Sequence, residues 1–335
     1  MTTVNASPVH QVIFKAAQQA ALAPSVHNTQ PWQFVIGDDS IEIHADESRR
    51  LKVLDPRGRQ MTVSCGCALF NARVAITAAG YTPEVTRYPD PAQPYLVARI
   101  VIRERPDDSP IGRLDPYISR RKTNRRAYVP EPLPAWLVES LTAAAVAEDT
   151  ALIPIVTAEH RVETARLSRF ADNIENADPA YRAEVFAWTT DDPRRGDGVQ
   201  ASTVPYLGDQ PRNSSDAVPL REFDPRGMGW LPQSSHSDAG QTLILFASVE
   251  DNSLAWLRAG EALEHAWLEL TREGYWASPL TQVVEVRQTH EELRAILGIT
   301  EHPELLLRIG KAPEVRSSRR RGLGDMVIDE RTPSI

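Results

Sequence analysis

Cysteine is scarce in this chain of 335 residues, with only Cys65 and Cys67 present. The two lie two positions apart inside a helix-like pattern, so they cannot build a disulfide framework and cannot complete a zinc site by themselves. The other candidate ligands show no spacing typical of a metal site; those considered are Asp115, Glu131, His160, His265 and His290. No metal site is therefore expected.

Long apolar runs and a positive net charge are also absent. No window approaches 18 uninterrupted apolar residues, and the N-terminus has no basic patch followed by an apolar core, so neither a membrane span nor a secretory signal is expected. The formal net charge of −8 argues against nucleic acid as the main partner, because proteins that bind it usually present a basic surface. The cytoplasm is the simplest compartment for such a chain.

Two nucleotide-binding motifs are missing as well. The sequence contains neither Gly-x-Gly-x-x-Gly nor a phosphate-binding P-loop, so a Rossmann dinucleotide site is not indicated. What remains is an ordinary globular composition, 41% hydrophobic and 24% charged. A length of 335 residues exceeds the size at which one core is comfortable, which predicts two domains.

An internal repeat predicts how these domains are related. Residues 66–81 and 260–275 align without a gap at an offset of 194 positions, and the identical pairs are Gly66/Gly260, Ala68/Ala262, Leu69/Leu263, Ala72/Ala266, Thr77/Thr271, Gly80/Gly274 and Tyr81/Tyr275. Each copy predicts a helix, over 66–79 and 260–273, that is stopped by a glycine. A strand-like run follows each copy, at 96–102 and at 305–309.

The helices that precede the repeat also correspond, because residues 12–23 match the pattern of residues 136–147. The chain therefore divides into two tandem halves, 1–115 and 116–335. After their first helices the halves differ sharply in sequence, which indicates a shared fold with diverged chemistry.

The most informative segment follows the first helix of the first half. Residues 23–34, named here the polar turn, read Ala-Pro-Ser-Val-His-Asn-Thr-Gln-Pro-Trp-Gln-Phe, and the second half has no counterpart to it. Pro24 ends the helix. The hydroxyl and amide groups that follow can bind a polar ring system, although a simple connection rich in turn-forming residues would have a similar composition.

Two basic segments are the other candidates for binding. Residues 120–126, the cation cluster, read Arg-Arg-Lys-Thr-Asn-Arg-Arg and precede a helix predicted to begin near Pro134. Residues 316–321 read Arg-Ser-Ser-Arg-Arg-Arg near the C-terminus. Each is either a solvated segment or an anion site, for which arginine offers bidentate, charge-assisted contacts.

Residues 189–239 show no pattern of regular structure. Prolines and glycines interrupt the stretch repeatedly, and loops of this length are usually functional lids or disordered linkers. Apolar anchors favour a packed lid insertion; they are Val204, Tyr206, Leu207, Met228, Trp230 and Leu231.

These segments together resemble the nitroreductase superfamily. The polar turn matches its Ala-Pro-Ser-x-x-Asn-x-Gln-Pro-Trp-x-Phe segment, which cradles FMN, and this implies flavin contacts from Ser25, His27, Asn28, Thr29, Gln30, Pro31 and Trp32. Within the cation cluster, Arg121, Thr123 and Arg125 resemble the Arg-x-Ser-x-Arg phosphate motif. The tail resembles the basic segment that returns to the flavin phosphate, which implicates Arg319, Arg320 and Arg321.

The resemblance further implies an α+β, nitroreductase-like fold and an unusual assembly. In nitroreductase homodimers the flavin lies between subunits, with the phosphate motif from one and the polar turn from the other. Here the two halves each supply one of these elements once, as in single-chain Acg-type members. The expectation is an intramolecular pseudodimer around long central helices, monomeric, with a lid insertion and one FMN.

The same resemblance implies the chemistry. A typical nitroreductase transfers hydride from NADPH or NADH to FMN and then reduces a small nitro or quinone acceptor. The protein supplies binding, orientation and electrostatics, so no catalytic residue is assigned, and His27 is predicted to be a hydrogen-bonding partner rather than a general base. Residues 276–280 resemble the stretch that passes near flavin N5. The alternative is a protein that stores or sequesters FMN under a closed lid.

Overall fold

The computed structural model describes residues 7–105, 109–129, 131–204, 218–221, 223 and 242–329 of the chain. Helices and strands are mixed in both halves, which confirms the α+β prediction in its coarse form. The elements of the first half are α1 (Pro8–Ala20), β1 (Trp32–Ile36), β2 (Ser40–Ala45), α2 (Arg59–Ala78), β3 (Thr82–Arg87) and β4 (Leu96–Arg103). They are followed by the short α3 (Asp115–Ile118).

The second half begins with α4 (Ala135–Val146), as predicted from Pro134. The remaining elements are β5 (Ala151–Pro154), α5 (Ala158–Ala177), α6 (Pro179–Ala187), β6 (Thr189–Thr190), β7 (Val199–Gln200), β8 (Thr242–Ser248), α7 (Ser253–Arg272), β9 (Trp276–Leu280), α8 (Gln282–Glu285), α9 (Arg287–Leu297), β10 (His302–Gly310) and β11 (Val327–Asp329). The strands predicted at 96–102 and 305–309 therefore lie within β4 and β10.

The two halves repeat one sheet topology. The first sheet has the order β11-β1-β2-β4-β3 and the second has β5-β8-β10-β9. If β11 is left out and the strands of each sheet are numbered in chain order, both sheets have the spatial order 1-2-4-3. All neighbouring strands in this order are antiparallel. The long helices α2 and α7 occupy the same place in this order, between the second and third strands.

The capping residue of α1 and the alternating side chains of β1 explain why these two elements form where they do. Ser7 caps α1 by accepting a hydrogen bond from the His10 backbone N–H at 3.2 Å, and Pro8 occupies the first turn, where its missing donor costs nothing. In β1 the side chains of Trp32, Phe34 and Ile36 are buried on one face, as strand alternation requires. This strand carries the end of the polar turn directly into the core.

Helices α2 and α7 cross at two glycines. A Cβ atom built on Gly66 would lie 2.0 Å from the Leu257 carbonyl oxygen, and one built on Gly260 would lie 2.0 Å from that of Val63. The backbones therefore touch where the repeat has its shared glycine. Both helices begin seven residues before the predicted starts at 66 and 260. The predicted starts were wrong because α7 is capped by Asn252, which accepts from the Ala255 N–H at 3.0 Å, well outside the repeat.

Helix α2 is buried on nearly every side. By length and composition it is the one helix among the described residues that could cross a membrane, yet 89% of its apolar window is buried inside the protein. A core helix meets the same criterion, so its apolar character is explained by packing. Cys65 and Cys67 lie in this helix as buried free thiols, and burial raises the pKa of both.

The C-terminal strand crosses to the first sheet. After β10 the chain runs without regular structure past residues 311–322, and β11 then pairs in parallel with β1, with Val327 opposite Phe34. The final strand of the 116–335 half is thus an edge of the sheet in the other half. This crossing carries the basic segment of residues 316–321 across the polar turn.

Part of the predicted lid is regular. Within 189–239 the described residues are 189–204, 218–221 and 223, and they include the two-stranded parallel pair of β6 and β7. Val204 is buried against Leu51, Leu54 and Phe223. The other predicted anchors, Tyr206, Leu207, Met228, Trp230 and Leu231, lie outside the described residues.

Candidate functional site

The polar turn has an unusual backbone. His27, Asn28 and Gln30 have φ values of 46°, 55° and 50°, in the left-handed region that non-glycine residues seldom adopt. Side chains hold this shape, because Ser25 Oγ accepts from the Gln30 N–H at 2.9 Å and Ser64 Oγ accepts from the Val26 N–H at 3.2 Å. Strained backbone of this kind is often found at functional sites.

The amides of the turn tie three segments together. Asn28 Nδ2 donates to the carbonyls of Gly198 and Arg319 at 3.0 and 3.1 Å, and Gln30 Nε2 donates to the Gly196 carbonyl at 2.9 Å. Thr29, Gln30, Pro31 and Trp32 are buried in the protein. These four predicted flavin contacts therefore pack beneath the site, whereas Ser25, His27 and Asn28 border open space.

Arg121 has a protein partner. Its Nε atom lies 3.1 Å from Glu264 Oε1, and both side chains are almost fully buried. The Arg121 guanidinium also stacks on the Trp267 ring, 4.7 Å from its centroid, and donates to the Leu22 carbonyl at 3.1 Å. Burial raises the pKa of Glu264 to about 7, while Arg121 opposes that rise.

Arg125 lacks such a partner among the described residues. Its guanidinium lies over the Phe223 ring, 5.0 Å from the centroid, and no carboxylate of the described chain pairs with it. Burial, with Arg221 as a further cause, lowers the pKa of Arg125 to about 10. Thr123 lies beside it and forms an isolated parallel bridge with Ala277. An uncompensated arginine in this setting favours an anionic ligand.

The three arginines of the tail approach the polar turn from the other side. Arg320 donates to Asn28 Oδ1 at 3.0 Å and to the carbonyls of Leu22 and Ala23, and its buried Nε atom has no hydrogen-bond partner in the part of the chain that the structure describes. Burial, and Arg121 after it, lowers the pKa of Arg320 to about 9. Arg321 donates to Gln30, while the exposed Arg319 donates to the Asp192 carbonyl.

These segments enclose one groove with two ends. The basic end is lined by Leu22, Pro24, Ser25, Asn28, Ile118, Ser119, Arg121, Lys122, Thr123, Arg125, Val199, Thr203, Ser317, Ser318 and Arg320. The apolar end shares Pro24, Ser25, Thr123 and Arg125 with it and continues between α2 and α7. Among the described residues, no carboxylate lines either end.

The apolar end contains residues that the sequence analysis missed. Its remaining lining residues are Val26, His27, Gln60, Val63, Ser64, Cys67, Leu220, Arg221, Phe223, Leu263, Trp267, Ser278, Pro279, Thr281, Gln282 and Leu305. Ser278 and Pro279 lie in β9, within the predicted 276–280 stretch. Gln60 and Gln282 belong to no motif, and only the repeat, which places both helices at the centre, could have indicated the Gln60 region.

His27 is a neutral imidazole in this environment. Burial lowers its pKa well below the usual range, and the charges of Arg221 and Arg125 lower it further. Its ring meets the Phe223 ring edge-on with 5.4 Å between centroids, and neither ring nitrogen has a hydrogen-bond partner among the described residues. A neutral imidazole can donate at one nitrogen and accept at the other, and the hydrogen-bonding role of His27 stays a prediction.

Arg221 connects the groove to the helical insertion. It donates to Glu285 and to the Tyr181 hydroxyl at short range, lies 3.4 Å from Glu175 and reaches Thr281 at 3.2 Å. Burial raises the pKa of Glu175 well above its usual range. Residues 218–221 are thereby fixed over the apolar end by a buried charge cluster.

Relatives of known name cover almost the whole chain. It is 33% identical over 316 residues to a Mycobacterium tuberculosis protein named "Putative NAD(P)H nitroreductase acg", spanning 91% of this chain and 90% of that protein. It is 32% identical over 295 residues to "Putative NAD(P)H nitroreductase Rv3131" of the same species, spanning 88% and 83%. The chain belongs to the nitroreductase superfamily.

Membership in the superfamily confirms the resemblance found in the sequence, although no protein-family model matches the chain. One solved superfamily structure, a nitroreductase with bound FMN from Desulfitobacterium hafniense, covers 62% of this chain and 94% of its own at 11% identity, with a TM-score of 0.40. A likeness of this size adds nothing to the assignment. Among the described residues, no group of three His, Cys, Asp or Glu side chains is placed to hold a metal ion.

Proposed function

We propose that this nitroreductase-superfamily chain binds one FMN in the groove and uses it as an NAD(P)H-dependent oxidoreductase. The observation that carries the proposal is the groove itself, in which a basic end without carboxylates joins an apolar end built on α2 and α7. Arg125, which pairs with no carboxylate of the described residues, and the buried Nε of Arg320, which has no hydrogen-bond partner among them, fit a phosphate dianion. FMN has the matching form, with a phosphate at one end and a planar ring at the other.

Different residues of the groove would bind different parts of the cofactor. Arg125, Arg320 and Lys122 would neutralise the phosphate, with the hydroxyls of Thr123, Ser317 and Ser318 nearby. Arg121 would add its positive charge to the basic end of the groove while it remains paired to Glu264. The apolar floor of Val63, Leu263 and Trp267 would support the ring.

Bound FMN would supply two-electron chemistry, accepting hydride from NADPH or NADH and reducing a small nitro or quinone acceptor. The chain itself would bind and orient: the groove fixes the ring between the halves, and the neutral His27 offers a hydrogen bond without changing the charge. The apolar floor excludes water from one face of the ring. None of these roles requires a protein nucleophile.

We further propose that the two halves, 1–115 and 116–335, form an intramolecular pseudodimer, so that the protein acts as a monomer. The groove draws residues from both halves, and the repeated sheet order supports a pseudo-twofold relation. The second, symmetry-related position would then be closed by charged side chains. The repeat offset of 194 positions gives the counterparts of three groove residues. Cys67 corresponds to Glu261, Trp267 to Arg73 and Thr281 to Arg87.

These counterparts form an ion-pair network. Arg73 donates to Glu261 and to Glu148, each at 2.7 Å, and Arg87 donates to Glu261 at 2.6 Å. Glu148 is likewise the counterpart of the groove residue Pro24, because it lies 124 positions after it and this offset aligns the first helices of the two halves. The two glutamates are buried and the two arginines partly buried, and a charged network at the symmetry-related position would compete with a flavin ring there, which favours a single cofactor per chain.

Storage of FMN is the second candidate. The segment that contains Leu220, Arg221 and Phe223 lies at the apolar end, and Arg221 anchors it through Glu285. A lid that stayed docked in this way would keep nicotinamide away from the ring, whereas an enzyme lid must open.

Anaerobic mixing of the FMN-loaded protein with NADPH or NADH separates the two candidates. The oxidoreductase is expected to lose its flavin absorbance within seconds with at least one of the nucleotides. Sequestration is indicated if neither nucleotide bleaches the flavin while dithionite does. Dithionite serves as the control that the bound flavin can be reduced.

A further inference from the structure

Two glutamines of the apolar end have side-chain amide donors that no described residue accepts. The side chains of Gln60 and Gln282 are 3% and 2% exposed, and both line the groove. The Nε2 atom of each is buried without a hydrogen-bond partner among the described residues. A buried amide donor left unpaired costs about 1–3 kcal/mol, so two of them in one cavity indicate a ligand that accepts both.

The glutamines come from different halves. Gln60 stands in the first turn of α2, and Gln282 begins α8 directly after β9. Neither lines the basic end or belongs to the four residues that the two ends share. A ligand anchored by a phosphate in the basic end therefore meets them with its opposite, ring-bearing part.

The chemistry of the apolar end limits what that part can be. Its charged groups are the cations Arg125 and Arg221, and among the described residues no carboxylate lines it; His27 and the hydroxyl groups can donate as well as accept. Side-chain NH₂ groups require acceptors such as carbonyl oxygens. In a flavin ring only the pyrimidinedione edge carries carbonyls, whereas the opposite edge carries methyl groups.

We propose that Gln60 and Gln282 are the specificity-determining pair of this site, donating through Nε2 to the two carbonyl oxygens of the flavin pyrimidinedione and thereby fixing which edge of the ring enters first. This inference rests on the proposed function. Because reduction places negative charge on that same edge, the two donors also stabilise the reduced ring more than the oxidised one.

Binding of FMN and of its 2-thio and 4-thio analogues, in which sulfur replaces one carbonyl oxygen as a weaker acceptor, tests the pairing. In Gln60→Met and Gln282→Met the affinity for FMN is expected to fall about two- to tenfold each, the value of one neutral hydrogen bond. Each variant should lose the discrimination against one thio analogue only. Thermal melts of the proteins without flavin show whether the variants fold.

The isosteric variants Gln60→Glu and Gln282→Glu give a readout independent of activity. Each replaces a donor by an acceptor carrying negative charge, so the midpoint potential of the bound flavin should fall. A tenfold relative loss of the reduced form corresponds to about 30 mV for a two-electron couple. Gln18→Glu, at an exposed position of α1 that lines neither end of the groove, is the matched control and should leave affinity and potential unchanged.

The outcomes separate the two levels of the account. If the wild-type protein binds FMN and the variants match it in affinity, in discrimination between the thio analogues and in midpoint potential, only the role of the glutamines is contradicted. A wild-type protein that takes up no FMN contradicts the proposed function, and this inference with it.

Discussion

Gly66→Ala is expected to destabilise the protein by about 3 kcal/mol or more, although it adds only one carbon atom. That carbon would lie 2.0 Å from the Leu257 carbonyl oxygen and within 3 Å of Gly260 Cα, both of which are backbone atoms that no side-chain rotation can move. Overpacking of a core costs about 1–3 kcal/mol when side chains can adjust, and more when they cannot. The midpoint of urea unfolding measures the loss.

Gly324→Ala is the matched control, since no atom lies within 4 Å of a Cβ at that position. Its unfolding midpoint should stay at the wild-type value, and Gly260→Ala should reproduce the loss seen at Gly66. Equal midpoints for all three variants would contradict the close crossing of α2 and α7. That crossing supports the groove floor, because Val63, Cys67 and Leu263 belong to these two helices.

Arg121→Ala is expected to cost about 1.4 kcal/mol more at pH 8 than at pH 5 in the absence of any flavin, because without the cation the buried Glu264 must stay protonated in the folded state. Burial already raises the pKa of Glu264 to about 7 in the wild-type protein, and losing the cation raises it further. The folded variant then binds a proton that the unfolded chain, with an ordinary glutamate, releases. Because Glu264 of the folded wild-type protein also holds a proton below about pH 7, the deficit should be nearly constant from pH 5 to pH 7 and should grow by at most about 1.4 kcal/mol per pH unit above pH 7.

The double variant Arg121→Ala/Glu264→Gln should recover most of the lost stability at pH 8, since no charge remains to be paired. Denaturant unfolding of the single and double variants at both pH values gives the comparison. A deficit that does not change with pH, or that persists in the double variant, would contradict the ion pair. Loss of flavin binding with unchanged stability would instead assign Arg121 directly to the phosphate.

Local sequence signals indicated which segments of the chain would form the candidate site. The polar turn, the cation cluster and the tail arginines are contiguous runs of chemically distinctive residues, and the fold brings all three runs to one groove. The repeat predicted the two central helices because its shared glycines are needed where the backbones touch. Their starts were missed because the residues before each glycine differ between the copies.

The partners within the site could not be predicted in the same way. Glu264 is a single glutamate between Leu263 and His265 on α7, and no sequence pattern pairs it with Arg121, whose packing against it accompanies its burial. Gln60 and Gln282 are single residues separated by more than half of the chain. Thr29, Gln30, Pro31 and Trp32 belong to the predicted motif, yet their burial beneath the groove depends on β1 entering the core.

The ratio of flavin to protein tests the central claim most directly. Protein reconstituted with excess FMN, freed of unbound flavin and analysed by sedimentation, should be a monomer carrying close to one FMN. In the proposed pseudodimer one chain would hold the whole groove, and the ion pairs of Arg73, Arg87, Glu148 and Glu261 would occupy the symmetry-related position. A ratio near two, no retained flavin, or a dimer whose dissociation releases the flavin would contradict the account.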